Sequence, residues 1–201
     1  MADKDTQRHM SHCRAMMKTI GKLNDQLRKC NKEFQIRCYS KMSVVPIIGM
    51  QCAAQDCHAQ IDFDKYFTVL AYHVPSKIYA AYITFSIFLD TDPRVVKIEY
   101  SCTDPEFRRH SLSLILRLIP FGVAIDMGCK YVVSEANEFS AGLMVTKFGC
   151  REIDWERQEP DEMFRWFDET TEAANVYCDL EENVDNLQEQ WDRVMNCEIP
   201  R

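Results

Sequence analysis

Five polar residues cluster at positions 108–113: Arg108, Arg109, His110, Ser111 and, after Leu112, Ser113. They stand between a β-branched run, VVKIEYSC (95–102), and an apolar stretch of helical type. The first turn of a helix leaves backbone N–H groups unpaired, and its dipole favours negative charge. Two guanidinium groups, an imidazole and two hydroxyls at such a turn therefore make a site for a pyrophosphate. The same residues also fit a plain serine-capped helix start with exposed arginines.

A second set could move protons. On a regular strand Glu99 shares a face with Lys97 and Ser101, opposite Val96, Ile98 and Tyr100. It would be a base, or a surface neighbour of Lys97. Glu135 and Glu138 close the next strand and are alternative bases. Ser140 would be a proton donor or a helix N-cap. His73 and His110 are the other groups near the turn that titrate around neutrality.

These residues need elements to hold them. Residues 6–32 place Met10, Cys13, Met17, Ile20, Leu23, Leu27 and Cys30 at helical spacing. Residues 34–39 read as a strand, and 43–55 as a short helix with Pro46 in its first turn. FTVLAYHV (67–74) and YAAYITFSIFL (79–89) flank Pro75-Ser76-Lys77, a hairpin signal. A break at 90–94 leads into the strand before the turn. From there the pattern becomes strand, helix (111–127), strand (CKYVVSE), helix (140–148). REIDWER and NVYCDL complete a mixed sheet, and 180–196 form a last amphipathic helix.

At 201 residues and 46% hydrophobic, the chain buries a full core. Residues 1–151 carry 20 basic against 15 acidic side chains, while 152–198 carry 3 against 16. That acidic third argues against a nucleic-acid face. The longest nearly unbroken apolar run, Tyr79–Leu89, is too short for a membrane helix, so no membrane partner is expected. Ten cysteines without a CxxC pair or an N-terminal leader read as reduced thiols of a cytoplasmic protein. Cys52, Cys57 and His58 lack a second ligand pair at finger spacing, and no metal site is expected.

The run Thr103-Asp104-Pro105-Glu106-Phe107-Arg108-Arg109-His110-Ser111-Leu112-Ser113 resembles the cofactor loop of the GNAT acyl-CoA N-acetyltransferases, Val-x-Pro-x-Tyr-Arg-x-x-Gly-x-Gly. The helix Ser140–Cys150, with Lys147-Phe148-Gly149, resembles that family's second signature. SEANEFSAGLMVTKFG is most similar to the invertebrate arylalkylamine (dopamine-like) branch. The resemblance spans roughly residues 34–155. It implies a GNAT-like α/β (α+β) fold, with a mixed sheet of six to seven strands splayed at its centre. It implies acetyl-CoA as cofactor, with the backbone of Ser101, Cys102 and Thr103 along the pantetheine arm. Residues Arg108, Arg109, His110, Ser111, Leu112 and Ser113 would hold the pyrophosphate. A primary amine, either a small molecule or a side chain, would then be acetylated by direct attack in a ternary complex. Glu99 would serve as base and Ser140 as proton donor.

The sequence departs from the pattern at Ser111 and Ser113, where the family has glycine. Val145 stands where many members place an acid tyrosine. A catalytically silent GNAT-fold binding module is therefore the alternative. The expected organisation is an N-terminal helix (1–33), an acetyltransferase domain (34–179) and an acidic C-terminal helix (180–201). Monomer and homodimer stay equal alternatives.

Overall fold

The computed structural model describes residues 4–30, 32–39, 66–155, 163, 165–167 and 172–198. The elements run α1 (Lys4–Lys29), β1 (Phe34–Tyr39), β2 (Phe67–His73), β3 (Ile78–Phe88), β4 (Val95–Thr103), a 3-10 turn (Pro105–Phe107) and α2 (Leu112–Asp126). They continue as β5 (Tyr131–Ala136), α3 (Glu138–Phe148), β6 (Arg151–Glu152), β7 (Ala174–Asp179) and α4 (Val184–Met195). The helix expected at 43–55 and the cysteines at 52 and 57 lie outside the described residues.

Seven strands form one sheet in the order β1-β2-β3-β4-β5-β7-β6. Every neighbouring pair is antiparallel except β4–β5, which is parallel. The crossover between those two is α2, as a parallel pair requires. The strands are rich in β-branched and aromatic residues, and β2, β3 and β5 are buried along most of their length.

The main core lies where α1, α2, α3 and α4 cover the sheet. Leu23 and Leu27 of α1, Ile115 and Ile119 of α2, Phe148 of α3 and Val194 of α4 meet Val69, Ile83, Val96 and Val132 there. A smaller cluster on the other face joins Val95, Tyr131, Val133, Tyr177 and Met163. Burying one such side chain contributes about 1.5–3 kcal/mol, so the sheet, rather than helix propensity, fixes where the helices sit.

Several boundaries differ from the sequence reading. Helix α3 begins at Glu138, because Asn137 caps it by accepting the Ser140 N–H. Ser140 is therefore inside the first turn and not the N-cap. Gly149 ends α3 at φ +68, a left-handed position that suits glycine. The strand expected over REIDWER is two residues long, and the last helix begins at Val184 rather than 180. Cys30 and Cys197 form a disulfide joining the end of α1 to the turn after α4. This corrects the expectation of wholly reduced thiols. The two cysteines are 167 residues apart in sequence, and no spacing rule links them, yet their Cα atoms lie 5.6 Å apart.

Candidate functional site

Strands β4 and β5 pair only from Val95↔Tyr131 to Ile98↔Ser134. The Ser134 hydroxyl donates to the Ile98 carbonyl at 3.2 Å and closes the last rung. Beyond it β4 continues to Thr103, held by β3 alone, while β5 continues to Ala136, held by β7 alone. The two strands thus part like a V. The edge of β4 from Glu99 onward faces this opening without a strand partner, so it can take an added extended chain. The cleft between them has a volume of about 270 Å³. Its lining includes Glu99, Ser101, Cys102, Thr103, Ser113, Arg117, Glu135 and Ser140.

A β-bulge shapes this opening. Ile98 opposes Phe85 and Tyr100 opposes Thr84, which leaves Glu99 as the extra residue on β4. A bulge shifts the in-out alternation by one. Strict alternation placed Ser101 with Lys97 and Glu99. In the structure the Ser101 hydroxyl instead meets Arg117 from α2, at 2.9 Å. Glu99 is half-buried and bonded to Ser86. Burial pushes its carboxyl above the ordinary range. The Lys97 ammonium and the Ser86 bond pull back, and Glu135 adds a smaller push. Lys97 itself pairs with Glu135 at 3.2 Å and donates to the Trp166 carbonyl at 3.2 Å. Glu99, Lys97 and Glu135 thus form one charge group at the point where the strands part.

The basic turn follows directly. Asp104 accepts the Glu106 N–H and starts the 3-10 turn. Arg108 is extended at φ −62, Arg109 is left-handed at φ +69, and Ser111 is left-handed at φ +57. Ser111 thus holds a left-handed conformation that favours glycine. Its hydroxyl places no cap on α2, so the helix N-terminus is not closed from that side. A left-handed residue beside a helical one, as at Ser111 and Leu112, turns successive N–H groups toward one concavity that suits an anion. Arg108, Arg109 and His110 are exposed. The His110 ring rests on Phe34 and Phe107 at 5.4 and 6.4 Å, which anchors the loop to β1 and to the 3-10 turn.

Arg117 is the residue that sequence reading missed. It is 2% exposed, the one buried basic side chain among the described residues. Nη1 donates to the carbonyl and the hydroxyl of Ser113, and Nη2 to the hydroxyls of Ser101 and Ser140. Burial brings its guanidinium down to about 10, so it remains a cation at neutral pH. The signal was an arginine inside the run LILRLIPFG, apolar but for it, where a charge is rarely buried without a task.

The other candidates separate. Glu135 lines the cleft, whereas Glu138 is exposed on the first turn of α3. His73 bonds Ser76 at 2.6 Å and packs on Phe107, away from the cleft lining. Val145 lies partly exposed on α3 and can supply no proton. Leu112 is buried and contributes only its backbone to the turn.

No protein-family model matches the chain, and no curated protein does. Solved structures do. An acetyltransferase from Streptococcus agalactiae 2603 has a TM-score of 0.53 at 12% identity, covering 74% of this chain and 99% of that one. An acetyltransferase of the GNAT family from Staphylococcus aureus Mu50 has a TM-score of 0.52 at 14% identity, covering 72% and 99%. Arabidopsis thaliana Naa50, in complex with the bisubstrate analogue CoA-Ac-MVNAL, has a TM-score of 0.51 at 13% identity, covering 71% and 97%. Identities this low establish architecture, and the chain has the GNAT fold. No helix among the described residues is long and apolar enough to cross a membrane.

Proposed function

We propose that the chain is an acyl-CoA-dependent N-acyltransferase that moves an acetyl-type group to a primary amine. The observation that carries this reading is the parting of β4 and β5 beyond Ile98 and Ser134, directly before a turn with two left-handed residues. The residues present fit acetyl-CoA. The unpartnered edge of β4 at Ser101–Thr103 suits the amide-bearing pantetheine arm, and the N–H groups of Arg109–Ser113 suit a pyrophosphate. Ser111 already adopts the conformation that glycine would take, so the serine does not close the loop. When bound, acetyl-CoA supplies an activated thioester.

The chain's own residues do the rest. Glu99 lines the cleft with its carboxyl raised by burial, so it is placed to accept a proton from an ammonium. Glu99 and Glu135, which between them face the single Lys97 cation, make this end of the cleft the acidic one and attract a cationic acceptor. The Ser140 hydroxyl accepts from Arg117, which polarises its own proton outward and makes it the donor that Val145 cannot be. Phe139, 90% exposed on the rim of the cleft, offers a flat apolar platform to an arylalkyl acceptor. Polyamines and lysine side chains are the other acceptors in the class.

Val145 favours the second reading, a GNAT-fold module that binds without turnover. The test is acetyl-CoA-dependent thiol release with a panel of arylalkylamines, polyamines and lysine peptides. Release with one amine class, lost in Glu99→Gln, is the expected result. A folded, CoA-binding protein that releases no thiol with any member refutes the catalytic reading and leaves the silent module.

A further inference from the structure

The buried Arg117 carries a positive charge that no described residue neutralises. Among the described residues it has no carboxylate partner; its hydrogen bonds go to Ser101, Ser113 and Ser140 alone. The nearby Cys150 thiol gives no counter-charge, because burial, and then the neighbouring Cys178, push it far up and keep it protonated. The Nε–H is buried with no hydrogen-bond partner among the described residues. An unpaired buried charge is costly, and a cation in this position implies an anion that is met in use.

The serines show how that anion would be held. Each hydroxyl spends a lone pair on the guanidinium, so its proton is turned elsewhere. All three serines line the cleft. The Ser113 hydroxyl hangs on Nη1 and the Ser101 hydroxyl on Nη2, so two donors flank the guanidinium fork. One positive charge is balanced by one negative charge, which favours a carboxylate over a phosphate dianion. Paired donors match its two oxygens. Glu99 and Glu135 line the same cleft and bear the opposite sign, so the cleft has an acidic and a basic pole.

We propose that Arg117, Ser101 and Ser113 form a carboxylate-binding subsite inside the cleft, which leaves the Ser140 proton to the reaction. The molecule processed there carries a carboxylate, either at the far end of the acyl chain or beside the acceptor amine. The use of the cleft rests on the acyltransferase reading above, but anion binding by the cluster does not. The first measurement is therefore thermal unfolding in succinate or glutarate against chloride at equal ionic strength. Wild type is expected to be stabilised by the dicarboxylate and Arg117→Met not; equal responses overturn the subsite whether or not acetyl-CoA binds. Replacing a buried ion by a well-packed apolar side chain is often neutral for folding. Should Arg117→Met fail to fold, Ser101→Ala takes its place in every arm.

The second measurement compares kcat/KM within two pairs: succinyl-CoA against acetyl-CoA, and tyrosine against tyramine. A preference of about tenfold or more for one carboxylated member, falling to within about threefold in Arg117→Met, is expected from one lost charge-assisted bond. The pair that responds identifies the source, acyl chain or acceptor. A preference that survives Arg117→Met, no preference in either pair, or an equal loss for both members of each pair overturns the proposal. The last outcome would assign Arg117 to charge developed in the reaction itself. Absence of any turnover would sink the acyltransferase reading and leave the dicarboxylate arm to decide the subsite.

Discussion

Arg108 and Arg109 are adjacent, exposed and alike in charge, yet the same substitution should move their stabilities in opposite directions. Arg109 sits at φ +69 and Arg108 at φ −62. A left-handed L-residue costs roughly 1–2 kcal/mol. Glycine removes that cost but brings roughly 0.5–1 kcal/mol of extra unfolded-state entropy. Arg109→Gly should therefore stabilise the fold by about 0.5 kcal/mol, and Arg108→Gly should destabilise it by about 0.5–1 kcal/mol. For a chain this long that is a rise of about 1–2 °C against a fall of about 1–4 °C in Tm. Both variants should weaken acetyl-CoA by about 1.5 kcal/mol, the worth of one charge-assisted bond at the lower end of its range. Urea unfolding gives the first quantity and calorimetric titration the second. If the two variants change stability equally, the turn stores no backbone tension. If Arg109→Gly leaves acetyl-CoA affinity within about 0.3 kcal/mol of wild type, far below one charge-assisted bond, its guanidinium does not touch the cofactor and the reasoning fails.

Glu99→Gln should lower kcat by about 10²–10⁴-fold, the usual worth of a general base. It should also remove a pH dependence. Because burial raises the folded-state pKa of Glu99, the folded protein binds the proton more tightly than the unfolded chain. Its stabilising effect is complete below the unfolded value and is lost as pH rises through the folded one. Melting curves of Glu99→Gln should therefore lie above wild type at neutral pH, with a smaller fall between mildly acidic and neutral conditions; a variant less stable at neutral pH would contradict the raised pKa. Ser140→Ala should cut kcat about 10²-fold or more with KM little changed. An unchanged kcat removes Ser140 from proton transfer. Cys197→Ser opens the Cys30–Cys197 link, and losing a loop closure this long should cost about 4–5 kcal/mol in urea unfolding. Acetyl-CoA affinity should stay put, since no cleft-lining residue lies on α1 or α4; a parallel loss of affinity would show coupling through α2.

The mixed sheet and the turn were legible because both rest on local chemistry. The period-two runs at 67–89 and the switch to alternating strand and helix after Cys102 set the mixed sheet. Arg108–Ser113 stood out because helix starts bind anions whatever surrounds them. The bulge at Glu99 was not legible. It has no glycine or proline to mark it, and it arises from fitting β4 against β3. Everything downstream of it changed face, which is why Ser101 belongs with Arg117 and not with Lys97. Ser140 was legible as a candidate, but its neighbourhood was not. The cap at Asn137 and the guanidinium of Arg117, 23 residues away, come together only in the fold. The disulfide was hidden for the same reason, since Cys30 and Cys197 meet only when α1 and α4 both pack on α2.

The central claim is that the parted strands and the basic turn hold an acyl-CoA. Isothermal titration of acetyl-CoA into the full chain tests it most directly. The account predicts saturable binding at one site per chain, weakened by about 1–3 kcal/mol when Arg108 and Arg109 are both changed to Ala while folding is nearly unchanged. Absence of binding to the folded protein, or an affinity indifferent to that double change, would contradict it.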